Sequence, residues 1–452
     1  MHFSHINTPL PATTDHQGVT TFRRDKSFAT ELDAQDPLAE YRSRFHIPRR
    51  KDSTEVIYLC GNSLGLQPKS VRAFVEQELK DWETHGVEGH FQAKNPWMPY
   101  HELLTPQTAR LVGAKPNEVV VMNTLTVNLH LMLVSFYRPT PARHRIAIEA
   151  NAFPSDRYAV ESQIRFHGFD PLESLVELQP QPGESTLRTE DIVSFLQKEG
   201  ASIALVMLGG VNYYTGQAFD MAAITRAAHA QGCIAGFDLA HAAGNLVLRL
   251  HDWDVDFAVW CSYKYLNAGP GSIAGCFVHE RHASAVDRPR FSGWWGHNKQ
   301  TRFLMGPEFD AIPGAEGWQI SNPPILSLAA LRASMEIFDE AGMNGLRKKS
   351  ELLTGYLEFL LNEHNNSALT IITPRDPNQR GAQLSLRITH NGRQVFNALN
   401  AQGIICDWRE PDIIRVAPVP LYNGFAEVYG FEQALSEMLE KGDGRMETGN
   451  GC

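Results

Sequence analysis

Two stretches decide how this chain reads: Gly236-Phe237-Asp238-Leu239-Ala240-His241 and, about 25 residues later, Ser262-Tyr263-Lys264-Tyr265. Each closes a short apolar run, 234–237 and 257–261, of the length expected for a buried strand. Ligands of parallel α/β sheets gather at such C-terminal strand ends. A carboxylate placed there is costly unless a cation meets it, so Asp238 calls for a cationic partner. A protonated pyridine nitrogen is such a partner, and holding it protonated makes pyridoxal phosphate an electron sink. Lys264, beside an equally apolar run, is the kind of buried amine that forms a Schiff base and then acts as a base. The plainer alternative has Asp238 capping a helix and Lys264 reaching out to solvent. It suits either residue alone and fits poorly when both stand at matching strand ends.

Working outward, further short apolar runs at 118–122, 145–149, 202–208 and 273–278 alternate with helical patterns such as 127–136 and 221–230. Short buried strands alternating with helices predict an α/β domain with a mostly parallel sheet. Asn123-Thr124-Leu125-Thr126-Val127-Asn128 joins a strand to a helix, with Thr126 near the cap, where backbone N–H groups suit a phosphate. Phe153-Pro154-Ser155-Asp156 follows another strand, and its aromatic ring suits stacking on a pyridine. A helix is expected over 69–85 and a long helical stretch over 326–361, after the break at Asn322–Pro324. Strands near 383–388 and 413–416 then predict a smaller α+β domain. The expected division is 1–85 as an N-terminal arm and a segment joining the small domain, 86–320 as the large cofactor domain, 321–440 as the small domain, and 441–452 as a disordered tail.

Composition excludes several classes. The 452 residues are 43% hydrophobic and 20% charged, as in a soluble globular protein. A net charge of −10, without any basic block, argues against nucleic-acid or anionic-membrane partners. The six cysteines, Cys60, Cys233, Cys261, Cys276, Cys406 and Cys452, form no Cys-x-x-Cys pair and read as reduced thiols of a cytoplasmic protein. No apolar run approaches the ~20 residues of a membrane span, and the polar N-terminus carries no signal-peptide pattern.

The chain resembles the kynureninase family, fold-type-I pyridoxal-phosphate enzymes of the aspartate aminotransferase superfamily, in its eukaryotic type. The resemblance runs from about Tyr58 to Tyr422. It rests on Gly61-Asn62-Ser63-Leu64-Gly65-Leu66, Leu125–Asn128, Phe153–Asp156, Tyr214-Thr215-Gly216-Gln217, 236–241, 261–269, Gly293-Trp294-Trp295-Gly296-His297, Ile320–Pro324 and Arg415-Val416-Ala417-Pro418. It implies a seven-stranded, mostly parallel sheet in a large domain, pyridoxal 5'-phosphate as cofactor, and a homodimer. The implied reaction is hydrolytic cleavage of the Cβ–Cγ bond of 3-hydroxy-L-kynurenine or L-kynurenine, giving 3-hydroxyanthranilate or anthranilate and L-alanine, in tryptophan degradation and NAD biosynthesis.

Roles follow position by position. Lys264 binds the cofactor and moves the Cα proton, and Asp238 pairs with the pyridine nitrogen, supported by His241. Phe153 stacks on the ring with Asp156 close by, and Pro154 and Ser155 belong to the same cofactor-binding motif. Leu125, Thr126 and Tyr263 hold the phosphate, and Tyr263 is also the candidate acid–base relay of the late steps. Trp294 and Asn322 reach the cofactor from the partner subunit, and Arg415 clamps the substrate carboxylate. Ser63, His90 and Asn322 line the aryl pocket and favour the ring hydroxyl, because polar groups built for a hydroxyl are left unpaired without it. Gly209 departs from the serine expected near the cofactor.

Rival readings are a cysteine desulfurase, an aminotransferase, or a non-catalytic protein that kept the fold. Cys261 lies in the strand before Lys264 rather than in a loop over the site, and Lys264 itself is present. His251-Asp252-Trp253-Asp254 suggests a metal but shows no second group in the sequence, and reads as an exposed turn; no metal is expected.

Overall fold

The computed structural model describes residues 21–443 apart from 283, 284, 286 and 287. Cys452 and most of the expected tail lie outside the described residues, whereas 441–443 close the last helix, Phe425–Asp443. The described chain divides into two compact units, one of residues 61–344 and 372–381, the other of 21–60, 345–371 and 382–443. The bounds therefore differ from those expected: 61–85 and 321–344 belong to the large unit. Their helices explain this, because Val71–His85 and Ile325–Ala341 pack against each other.

After a short strand β1 (Ile57–Tyr58), the large unit contributes β2 (Val119–Val121), β3 (Arg145–Glu149), β4 (Leu175–Leu178), β5 (Ile203–Gly209), β6 (Ile234–Asp238), β7 (Phe257–Trp260) and β8 (Gly275–Val278). They form a seven-stranded sheet in the order β2-β8-β7-β6-β5-β3-β4. Strands β4, β3, β5, β6 and β7 are mutually parallel, and β8 runs antiparallel to both β7 and β2. The sequence explains the burial. Ile203-Ala204-Leu205-Val206-Met207-Leu208 is buried throughout, as a strand covered on both faces requires. Strand β4 escaped the sequence reading because Leu175-Val176-Glu177-Leu178 is only half-buried, at the sheet edge. One side of the sheet packs Phe136, Phe257 and Trp318 together, and the Trp318 indole donates to Ser135 Oγ at 2.8 Å.

Chain order reverses at β3, with β4 on one flank and β5 on the other. Connections leaving β3 and β5 thus diverge, and their C-terminal ends frame a crevice where such folds bind ligands.

The small unit has an antiparallel sheet of β9 (Leu369–Ile371), β10 (Leu384–Ile388), β12 (Asp407–Arg409) and β13 (Ile413–Val416), while β1 pairs with β11 (Ile404–Ile405). Leu353, Tyr356, Leu357 and Leu360 cover it together with Phe425 and Phe431. The long helical stretch expected over 326–361 is two helices, Ile325–Ala341 and Met343–His364. Gly342 between them has a φ of 72°, which an α-helix does not allow. No helix among the described residues is long and apolar enough to cross a membrane.

Candidate active site

One cavity in the large unit collects nine of the expected residues: Leu125, Thr126, Phe153, Ser155, Asp156, Asp238, His241, Tyr263 and Lys264. Each arrives by a short, locally determined route. Strand β6 ends on Asp238, whose carboxylate accepts the Ala240 N–H at 2.7 Å and so turns the chain sharply towards His241. Strand β7 delivers Tyr263 and Lys264. Lys264 Nζ stands 3.0 Å from His241 Nε2 and 5.9 Å from the centre of the Phe153 ring. Pro154 opens the helix Pro154–Phe166, where a missing N–H costs nothing. This fixes Phe153 before the helix and Asp156 in its first turn.

The glycine loop 61–65 packs on the backbone of the lysine segment. The Gly65 N–H donates to Tyr263 O at 2.8 Å. A Cβ at Gly65 would lie 2.3 Å from Lys264 O, so only glycine permits this approach.

The electrostatics are those of a site prepared for a charged guest. Burial pushes the carboxyls of Asp238 and Asp156 upward, and a hydrogen bond between the two joins them, while Lys264 pulls both down. Glu149, at the end of β3, is pushed up to about 7 by burial. Burial also pushes the Tyr263 phenol above its ordinary range, which keeps it a proton donor. On the other wall, the helix Leu125–Phe136 begins without a side-chain cap, so its first-turn N–H groups are available to an anion. Beside them the hydroxyls of Thr126 and Ser155 lie 3.1 Å apart. Phe153 keeps 43% of its surface exposed. A cluster of carboxyls, an apolar ring and an uncapped helix start together fit a flat cationic heteroaromatic ring bearing a phosphate.

Other expected residues are not in the cavity wall. Pro154 is exposed at the start of its helix, and Ser63 is half-buried in the glycine loop. His90 Nδ1 lies 2.9 Å from Val87 O, and its ring meets Trp97 edge-on. Trp294 Nε1 donates to Asn322 Oδ1 at 3.0 Å, and neither lines the cavity of its own chain. Arg415 belongs to the small unit, where it is 1% exposed and paired with Asp407.

The sequence reading missed Glu149, Val211, Tyr213 and Ala240 in the wall. Glu149 carried a signal, since it is an acid closing an apolar run, as Asp238 is. The segment His251–Asp254 is a turn with Asp252 and Asp254 exposed, as read, but the fold brings to it groups that are distant in sequence. His251 Nδ1 lies 2.9 Å from the buried Glu118, and His279 Nε2 lies 3.4 Å from Asp254. These partners are over 20 residues away in sequence and meet only because β2, β7 and β8 are neighbours.

Comparison with known structures gives the fold. A mutant of the lyase C-DES with glycine covalently linked to its PLP cofactor superposes with a TM-score of 0.74 at 16% identity, covering 88% of this chain and 99% of that one. The cysteine desulfurase of Thermococcus onnurineus gives 0.72 at 16% identity, covering 89% and 98%. The fold is that of the fold-type-I pyridoxal-phosphate enzymes.

Sequence comparison is more specific. The chain is 66% identical over 412 residues to the kynureninase of Koribacter versatilis, spanning 91% of this chain and 97% of that protein. It is 63% identical over 414 residues to the kynureninase of Myxococcus xanthus, spanning 92% and 97%. The family model of the kynureninase C-terminal domain matches residues 346–435. The chain belongs to the kynureninase family.

Proposed function

We propose that this protein, with pyridoxal 5'-phosphate joined to Lys264, hydrolyses the Cβ–Cγ bond of 3-hydroxy-L-kynurenine and L-kynurenine. The products are 3-hydroxyanthranilate or anthranilate and L-alanine. The observation that carries this reading is the convergence of Lys264, Asp238, Phe153 and Thr126 on one cavity of a chain from this family. When bound, the cofactor supplies an electron sink conjugated to the bond that breaks.

The chain's own residues supply the rest. Lys264 Nζ, 3.0 Å from His241 Nε2, moves the proton at the substrate Cα, and His241 fixes the direction of the amine. Asp238 holds the ring N–H, and Asp156, hydrogen-bonded to it, fixes its orientation. Phe153 covers a ring face. Thr126, Ser155 and the N–H groups of the first helical turn hold the phosphate. The Tyr263 hydroxyl, kept protonated by burial, donates in the later half of the reaction.

Arg415, kept oriented by Asp407, binds the substrate α-carboxylate as a bidentate pair. Ser63, His90 and Asn322 form the aryl pocket and favour the hydroxylated ring. The working form is a homodimer, in which Trp294 and Asn322 serve the partner's cavity. Supporting this, Phe291, Trp294, Phe303, Leu304 and Met305 lie in one stretch of sequence and are 39–75% exposed. A cytoplasmic location agrees with Cys60, Cys233, Cys261, Cys276 and Cys406 being outside any disulfide.

The test is an absorbance spectrum of the purified protein with each substrate in turn. The expected result is a visible cofactor band that Lys264→Ala abolishes, with alanine released from both substrates and faster from the hydroxylated one. A band without alanine release would overturn the activity. The absence of a band after adding pyridoxal phosphate would overturn the role of Lys264.

A further inference from the structure

Glu149 lines the cavity and has no part in the roles above. Its side chain is 5% exposed at the C-terminal end of β3. Both carboxyl oxygens lie 3.2 Å from the Gly209 N–H, and the Asn212 side chain donates to it as well. Gly209 pairs in register with Asp238 across β5 and β6. The N–H that holds Glu149 is therefore one strand away from the acid that faces the ring nitrogen. A Cβ at position 209 would stand 3.0 Å from Glu149 Oε1. A side chain at 209 would therefore press the Glu149 carboxyl aside by a few tenths of an ångström.

The groups facing Glu149 are Gly209 and Asn212 from the β5 segment, Asp238 from β6, and Asp156 from the helix after β3. Lys264 and His241 lie on the same cavity. Three carboxyls near one ammonium in a poorly hydrated space cannot all ionise. Asp156 and Asp238 meet this constraint through the hydrogen bond between them. Glu149 has only neutral donors, and burial brings its titration to about 7. A cation arriving against Asp238 removes the penalty on a second negative charge.

Building on the cofactor reading above, we propose that Glu149 is a positioning residue that loses its proton to solvent when the cofactor enters, and then reinforces Asp238 in keeping the ring nitrogen protonated. By linkage, binding strengthens as pH rises through the titration of Glu149 in the empty cavity.

The test compares wild type with Glu149→Gln, which keeps an acceptor for the Gly209 N–H but cannot ionise. Cofactor-free protein is titrated with pyridoxal phosphate by calorimetry at pH 7, in two buffers of different ionisation enthalpy, to count protons released. Wild type is expected to release more protons than Glu149→Gln, up to one per site, because burial raises the Glu149 carboxyl in the empty cavity. Ring-nitrogen NMR of the loaded proteins, using 15N-labelled cofactor, is expected to show the nitrogen losing its proton at lower pH in Glu149→Gln. Gly209→Ala, which crowds the carboxyl while leaving Glu149 present, is expected to alter the proton count too, and replaces Glu149→Gln if that variant does not fold. Equal proton release by the wild type and the folded variant would overturn the proposal. If wild type itself binds no cofactor and shows no visible band, the cofactor reading fails first, a distinguishable outcome.

Discussion

Replacing Asp256 with asparagine removes the charge that ties together the N-terminal end of the sheet, opposite the cavity. One Asp256 oxygen accepts from Arg281 at 2.5 Å and His282 Nε2 at 2.8 Å. The other accepts from His229 Nε2 at 2.8 Å and the Ala235 N–H at 2.8 Å. Whichever way an asparagine is turned, its NH2 opposes two donors, and Arg281 is left with Asp254 as its counter-charge. Two donors left unsatisfied cost ~1–3 kcal/mol each, so the loss is about 2–6 kcal/mol, which is ~30-fold or more in the unfolding equilibrium.

The pH dependence has two arms. Burial alone would raise the Asp256 carboxyl, but hydrogen bonds from His229 and His282 and the charge of Arg281 hold it well below the usual carboxylate range. Its contribution is therefore present above the unfolded value of ~3.9 and is lost only as pH falls through its depressed folded value. His229 is raised by its hydrogen bond to Asp256, so its contribution is full below ~6.5 and fades as pH rises through the raised value. Guanidinium unfolding followed by tryptophan fluorescence, at several pH values, measures both. A loss under 1 kcal/mol at pH 6, or a pH profile parallel to wild type, would refute the reasoning.

Two further outcomes concern the chemistry. Tyr263→Phe removes the hydroxyl and keeps the ring beside Lys264. The cofactor band is expected to persist while kcat falls ~10²-fold or more, as for loss of a general acid; an unchanged kcat in stopped-flow assays would remove Tyr263 from the mechanism. His90→Trp combined with Asn322→Thr is expected to shift the ratio of kcat/KM values towards kynurenine by ~10-fold, the scale of ~1–3 kcal/mol that separates close analogues. An unmoved ratio would mean that these positions do not form the aryl pocket.

Several features were legible in the sequence because they are local. An acid or a lysine ending an apolar strand run marks the ligand end of a parallel sheet, which is why Asp238, Lys264 and the strands β3, β5, β6 and β7 could be placed from residue pattern alone. The motif around Phe153 needed only a proline to fix the helix start. Tertiary structure decided whatever depends on which strands become neighbours. Glu149 looked like the end of one more strand until β5 brought Gly209, and β6 brought Asp238, against it. His251 looked like part of an isolated turn until Glu118 and His279 closed on it from β2 and β8. The division at residues 61 and 344 followed from helix packing, to which composition is blind. Strand ends and helix caps are set by a few adjacent residues, whereas the charge state of a cavity is a sum over groups that meet only when the chain folds.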